Sequence, residues 1–353
     1  MVVSCPTCYL LIELTNKSET EKRPIKITRK KPELLYALPR LIARLPPKYP
    51  RQEELDFAQK LYQIEAGYSG EQKVDRYLEL LELPKSSIIL TDVHLALFPG
   101  HTFQIDTLIL TEQYVFHLEI KNITGELYFQ TNPHQLRRVL PNGEETIMEC
   151  PLTQLEVARV NLQSWLSKRG VNVEVQSQII LPSKNATVKL VPPNSPILYL
   201  KRLSIFLREM ERGPTMYNVT QLKKMSELIQ REQTDYSPYP LCKYYRLDAN
   251  LLKRGQLCSI CNSTMSLKNH KQRFCKKCNL VEPNNYLRSI QDWFMLISGS
   301  ITNKQCRNFL QLKNKDDAYY ALNSLRLNKE GKSVATTYYW PKGIPFEPKK
   351  PPR

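Results

Sequence analysis

Four cysteines place the tightest constraint on how this chain can fold. Cys258-Ser259-Ile260-Cys261 and Cys275-Lys276-Lys277-Cys278 are two C-x2-C pairs with thirteen residues between them. That spacing lets four thiolates converge on one tetrahedral Zn²⁺, and a site closed by four sulfurs leaves no position for water or substrate, so its role is structural. The alternative reading is four unligated thiols in a reduced protein. The segment is also basic: Lys253, Arg254, Lys268, Lys271, Arg273, Lys276 and Lys277 have no acidic residue among them from Leu251 to Leu280, and His270 and Phe274 lie within the run. A basic zinc ribbon suits phosphate contact. A polar surface is equally what so small a module must carry.

The whole chain shares that bias. Its 353 residues carry a formal net charge of +17, which favours a polyanionic partner, either nucleic acid or an anionic membrane surface. No apolar run approaches the roughly 20 residues that span a bilayer, and Tyr9-Leu10-Leu11-Ile12 stops at Glu13 without a basic leader. We therefore expect nucleic acid as the partner, no membrane and no signal peptide. Nine cysteines, four of them explained by metal, suggest a reducing compartment, the cytoplasm. The length suits two or three domains.

A second constellation lies upstream. Phe103-Gln104-Ile105-Asp106-Thr107-Leu108-Ile109-Leu110 and Tyr114-Val115-Phe116-His117-Leu118-Glu119-Ile120-Lys121-Asn122 are rich in β-branched and aromatic residues and read as two strands joined at Thr111-Glu112-Gln113. Residues two apart on a strand share a face, so Glu119 and Lys121 project together and Asp106 can face them from the neighbouring strand. Two carboxylates suit a hard cation such as Mg²⁺ or Mn²⁺, which keeps several waters and takes substrate phosphate. A lysine beside it can hold the attacking water and offset charge in the transition state. The plainer reading is an exposed Glu–Lys ion pair of little energetic weight. The five histidines form no pair at ligand spacing; His117 shares the Glu119 face, where a buried, satisfied imidazole is the simpler expectation.

Flanking patterns supply context. Ala66 to Leu78 reads as a Gly-marked helix with Glu71 in its first turn and Val74, Tyr77, Leu78 and Leu81 on one stripe. Ser86 to Val93 reads as a strand, and Gly125 to Phe129 as a short hairpin. Cys150-Pro151-Leu152-Thr153-Gln154 opens a helix with Leu155, Ala158, Leu162, Trp165 and Leu166 at helical spacing.

In this order the stretch from about Gly67 to Leu181 resembles the nuclease-related domain (NERD) family, a branch of the restriction-endonuclease-like PD-(D/E)xK fold. The resemblance is carried by Gly70-Glu71, Gln104-Ile105-Asp106, Glu119-Ile120-Lys121-Asn122 with Gly125, and Pro151-Leu152-Thr153-Gln154. It implies an α/β nuclease core whose mixed central sheet is flanked by helices. It also implies Asp106 and Glu119 as Mg²⁺ (or Mn²⁺) ligands, Lys121 as the catalytic lysine, and Glu71 and Gln154 as helix-borne residues near the centre. Ile120 stands where the family commonly has valine.

Beyond Pro283, Tyr286 to Ile297 reads as a helix, Thr302 and Asn314 as N-caps of two more, and Leu327 to Trp340 as a hairpin turning at Gly331. Three helices and a hairpin outline a small winged-helix-like α+β module, with Lys315–Leu325 as the groove-reading helix and a wing near Lys329–Lys332. Other small helical domains with a terminal hairpin share this outline, and Asp316 and Asp317 oppose close DNA contact. The expected organisation is a disordered or mis-called start over residues 1–25, with a lone C-x2-C at Cys5 and Cys8. A basic helical arm over 26–60 follows, packed on the nuclease-like domain of 61–215. A helical bridge over 216–250, the zinc ribbon over 251–282, the winged-helix-like module over 283–342 and a Pro/Lys tail complete it. Two functions fit: a metal-dependent deoxyribonuclease, or a non-catalytic DNA-binding or regulatory protein that uses the nuclease fold as a scaffold.

Overall fold

The computed structural model describes residues 22–23, 25–46, 49, 56–234, 237–341 and 346. Cys5, Cys8 and the C-terminal tail, apart from residue 346, lie outside them. Lys22–Arg23 forms a short strand (β1). Helix α1 (Leu34–Arg44) and the long helix α2 (Phe57–Glu79) follow. Asp56 caps α2 by accepting a hydrogen bond from the Gln59 N–H, and Phe57 is buried just inside that cap. The helix therefore begins nine residues before Ala66, the start read from the sequence. Glu71 sits in its interior and not in its first turn, so the helix dipole does not account for it.

After β2 (Leu83–Pro84), which pairs antiparallel with β1, come β3 (Ile88–Phe98), β4 (His101–Leu110) and β5 (Val115–Ile120). They form an antiparallel meander, its second turn closed by the Thr111 N–H on the Tyr114 carbonyl. Where the sequence suggested a short hairpin, a longer meander stands: β6 (Gly125–Thr131), β7 (His134–Val139) and β8 (Glu145–Glu149). The last two strands are largely polar, so they lack the apolar alternation that marks a strand in sequence. Gly125 opens this sheet with φ +97°, and a Cβ there would lie 2.4 Å from the Val139 carbonyl oxygen. Only glycine fits.

Helix α3 (Pro151–Ser167) leads to β9 (Val175–Leu181), β10 (Ala186–Leu190) and β11 (Ile197–Tyr199). β9 and β11 add in parallel beside β5, giving a mixed five-stranded sheet in the order β11-β9-β5-β4-β3, while β10 pairs in parallel with β6. Helices α4 (Leu203–Glu211) and α5 (Val219–Glu232) complete the layers. One face of the sheet packs Phe116, Leu118 and Ile120 against Val74 and Leu78 of α2 and Leu203 and Leu207 of α4. The other packs Leu108, Leu110 and Val115 against Leu162 and Trp165 of α3 and Met225 and Ile229 of α5. All five apolar α3 positions read from the sequence are buried.

Helix α6 (Leu241–Tyr244) precedes a small sheet of β12 (Ser266–Asn269), β13 (Gln272–Phe274) and β14 (Val281–Pro283) around the cysteines. Then come α7 (Leu287–Leu296), β15 (Ser300–Thr302), α8 (Asn303–Leu310), α9 (Lys315–Asn323), β16 (Asn328–Glu330) and β17 (Thr337–Tyr339). The three strands form an antiparallel sheet in the order β15-β17-β16. Thr302 makes a capping box with Gln305, and the Asn314 side chain accepts from the Asp317 N–H, so both caps stand where the sequence put them.

Helix α1 packs on α2 and also beyond it. Its Leu38, Leu41 and Leu45 side join a cluster with Phe57 at the start of α2, Leu241 and Cys242 of α6, and Met295 and Leu296 of α7. The arm thus packs against the C-terminal half of the molecule as well as the start of α2, because its buried arginines find their counter-charge, Asp292, on α7.

Candidate active site

Strands β4 and β5 part company just past the Thr107–Leu118 pair, while β4 stays paired with β3 as far as His101. At this fork the backbone N–H of Ile120 has lost its strand partner and donates to Asp106 Oδ2 at 2.8 Å. The next residue along, Lys121, is held from the opposite side, its N–H on the Ile180 carbonyl of β9 at 3.0 Å. Glu119 and Lys121 point together as alternation requires, and Lys121 Nζ lies 2.8 Å from Glu119 Oε1. His117, wholly buried, puts Nε2 3.4 Å from Glu119 Oε2, and its Nδ1 is 3.5 Å from Ser177 Oγ.

The electrostatics follow from that crowding. Burial, reinforced by the facing Glu119 carboxylate, pushes the Asp106 carboxyl up to about 8, although the Ile120 N–H works against it. Burial alone would also raise Glu119, but His117 and the Lys121 ammonium hold it below the usual carboxylate range. The pair is therefore asymmetric, one carboxylate firmly ionised and the other retaining a proton to unusually high pH. Asp106 and Glu119 would hold a divalent cation, whose charge would offset the repulsion that adds to the rise at Asp106, and two carboxylates with water suffice for Mg²⁺. Among the described residues no third His, Cys, Asp or Glu atom joins these two within 4.8 Å of one another.

Helix α2 brings Glu71 to the same region through a close approach. A Cβ on Gly70 would lie 2.4 Å from Asn122 Cβ, so glycine is what allows this helix to touch the chain leaving β5. Asn122 Nδ2 donates to the Ala66 carbonyl at 2.8 Å and ties the two together. Glu71 Oε2 lies 3.2 Å from Arg29 Nη1; burial raises the Glu71 carboxyl, and Arg29 offsets part of that rise. Gln154 donates to Glu149 Oε2 at 2.9 Å and, with Phe103, Gln104, Glu119 and Asn161, lines an open cleft of about 270 Å³. All five residues singled out from the sequence thus occupy one neighbourhood.

Others were not legible there. Asp92 interrupts β3 with φ +53°, between the Thr91–Thr107 and Val93–Ile105 pairs and hence opposite Asp106. Its Oδ1 is 2.9 Å from His94 Nε2 and accepts from Gln104 Nε2 at 3.0 Å. Arg29, in sequence merely one of several basic residues in the arm, is 3% exposed and inserts between α2 and β4. Nothing in its local pattern separates it from Lys26, Lys30 or Lys31.

Residues 66–182 match the family model of the nuclease-related domain. The match takes in Glu71, Asp106, Glu119, Lys121 and Gln154, and leaves outside it Arg29, the terminal helices and the cysteines. No curated protein and no solved structure matches the chain.

The cysteines form a separate cluster, remote in sequence from the nuclease-related domain. The sulfurs of Cys258, Cys261, Cys275 and Cys278 all lie within 4.8 Å of one another, with Cys258–Cys278 at 3.5 Å and Cys261–Cys275 at 3.4 Å. Four sulfurs about 2.3 Å from a central zinc would be about 3.8 Å apart. The cluster is compatible with such an ion. Each C-x2-C pair is followed by an asparagine with positive φ, Asn262 at 53° and Asn279 at 59°, whose N–H returns to the carbonyl of the first cysteine. Two of the basic residues turn inward: Arg273 is buried on Asn284 and Met265, and Lys253 Nζ donates to the Ala43 carbonyl. Arg254, Lys268, Lys271, Lys276 and Lys277 are exposed. No helix of the described residues is long and apolar enough to cross a membrane.

Proposed function

We propose that this protein is a divalent-metal-dependent nuclease that hydrolyses DNA phosphodiesters at the Asp106, Glu119 and Lys121 centre. The observation that carries the reading is the opening of the β4–β5 ladder, which gathers two carboxylates and a lysine beside a solvent-open cleft. The mixed sheet between helical layers supports a restriction-endonuclease-like core. Asp106 and Glu119 would hold Mg²⁺ or Mn²⁺, and the ion, when bound, supplies Lewis-acid polarisation of the phosphate and a more acidic water. Lys121, anchored on Glu119, stands where an ammonium can orient the attacking water and offset charge on the phosphoryl oxygens. Gln154, with Glu149, shapes the cleft wall that faces the substrate.

Delivery of DNA falls to the C-terminal half. A zinc-bound ribbon would present Arg254, Lys268, Lys271, Lys276 and Lys277 to the phosphate backbone. The helix-strand-helix-helix-strand-strand order from α7 to β17, with its β15-β17-β16 sheet, supports a winged-helix module. Its third helix exposes Tyr319 and Tyr320 beside Asp316, a face better suited to stacking than to phosphate contact. None of the seven described cysteines is in a disulfide, which supports a reducing, cytoplasmic setting.

The test is cleavage of supercoiled and linear DNA with Mg²⁺ or Mn²⁺ by the parent and by Glu119→Ala and Lys121→Ala. Loss of about 100-fold or more in each variant is expected. Undiminished cutting by the variants would remove the assigned site. Absence of cutting by a parent that still binds DNA would favour the scaffold reading.

A further inference from the structure

Arg29 belongs to no part of the matched domain, yet its guanidinium is the most heavily used cation at the centre. Nε and Nη2 take both oxygens of Asp75 at 2.8 and 2.9 Å. Nη2 also donates to Thr107 Oγ1 at 2.8 Å, and Nη1 donates to the backbone carbonyl of Asp106 itself at 2.9 Å. The same Nη1 lies 3.2 Å from Glu71 Oε2. One planar fork thus joins two carboxylates of α2 to two consecutive residues of β4, at the point where β4 leaves β5. Its side chain is 3% exposed, against 10% for Asp75 and 21% for Glu71.

Two consequences follow from that geometry. The carbonyl of Asp106 is fixed, so the carboxyl it carries enters the fork from a set direction. Glu71, a further carboxylate of the neighbourhood, is engaged by a guanidinium before any cation arrives, and it shares no group with Asp106 and Glu119 at ligand spacing. A lysine could not replace this arrangement, because one ammonium lacks the planar fork that serves several acceptors at once.

We infer that Arg29 is a positioning residue of the centre, which holds Glu71 in an ion pair and so confines divalent-cation binding to Asp106 and Glu119. The inference rests on the reading of those two carboxylates as cation ligands and adds to it a division of labour among three. A segment outside the nuclease-related domain would then set how many carboxylates its centre offers to metal.

The experiment is Mn²⁺ titration of the full chain, followed by the electron paramagnetic resonance of free Mn²⁺ and by calorimetry, with thermal melts alongside. The set is the parent, Glu71→Gln, Arg29→Gln, Arg29→Lys and the double variant Arg29→Gln/Glu71→Gln. With Arg29 present, Glu71→Gln should leave Mn²⁺ affinity within about threefold of the parent, since loss of a true ligand or its support costs about 10- to 100-fold. Arg29→Gln should bind Mn²⁺ about tenfold more tightly or take up an additional equivalent, and the double variant should lose that gain. Arg29→Lys should fall between parent and Arg29→Gln.

A drop of about tenfold or more in Glu71→Gln alone would make Glu71 a ligand and overturn the inference. So would Mn²⁺ binding by a folded Arg29→Gln that matches the parent. Should Arg29→Gln fail to fold, Glu71→Gln, which retains the Arg29–Asp75 pair, still decides the matter. Asp106→Asn and Glu119→Gln serve as the control on the reading beneath: if neither weakens Mn²⁺ binding, the two-carboxylate centre itself falls, whatever Arg29 does.

Discussion

Arg44 and Asp292 are separated by 248 residues of chain, yet Arg44 Nε lies 2.6 Å from Asp292 Oδ2 and both side chains are wholly buried. Arg40 takes the same carboxylate in a forked contact, Nε to Oδ1 at 2.6 Å and Nη2 to Oδ2 at 2.5 Å. Arg44 also donates to the carbonyls of Lys253 and Gly255 on the approach to the cysteine cluster, and its guanidinium lies over the Phe309 ring at 4.6 Å. Helix α1 is thus joined to α7, α8 and the ribbon at one point.

Removing the shared anion leaves two buried guanidinium groups without a counter-charge. Asp292→Ala should cost about 3–5 kcal/mol, the usual penalty for breaking a buried pair from one side. Urea denaturation measures it; a loss below about 0.5 kcal/mol, the scale of an ordinary surface change, would contradict the joint described here.

Asp106 makes stability depend on pH in the direction opposite to most carboxylates. Its folded-state value, about 8, lies above the roughly 3.9 of an unfolded aspartate. Its stabilising contribution is therefore complete below the unfolded value and is lost as pH rises through about 8. Metal-free protein should lose stability across that window, Asp106→Asn should lose less, and Mn²⁺ should restore the parent most at the alkaline end. Denaturation curves along a pH series give the answer; identical pH profiles for parent and Asp106→Asn would be incompatible with the assignment.

Gly70→Ala tests the contact between α2 and the exit of β5. The new methyl would fall 2.4 Å from Asn122 Cβ, so helix or strand must shift. Overpacking of this kind costs about 1–3 kcal/mol, and the shift carries Glu71 with it. A variant as stable as the parent, measured by thermal melting, would mean that helix and strand are not held this closely.

Chelation tests the cysteine cluster. Purified under reducing conditions, the protein should contain stoichiometric zinc, and its removal should make the segment from Leu257 to Leu280 sensitive to protease while the nuclease-related domain stays resistant. Among the described residues the cluster's other apolar partners are Met265 and Leu280, too little to hold without metal. Metal analysis finding no zinc would end this assignment.

Whatever depends on neighbours along the chain was legible in the sequence. The α3 stripe, the caps at Thr302 and Asn314, the strands bearing Asp106 and Glu119, and the cysteine spacing all rest on periodicity or on contacts a few residues apart. The polar strands β7 and β8 escaped because their pattern carries no apolar alternation, and the early start of α2 because its anchors belong to a cluster assembled from distant segments.

The sequence by itself therefore determined the strands that carry Asp106 and Glu119 and the spacing of the four cysteines. Only the tertiary structure decided which charges sit among them: Arg29 against Glu71, Asp75 and the Asp106 carbonyl, and Arg40 and Arg44 on Asp292. The physical reason is that a basic residue carries no local mark of its partner. Whether its charge stays in water or is buried is decided by which distant carboxylate the fold delivers to it.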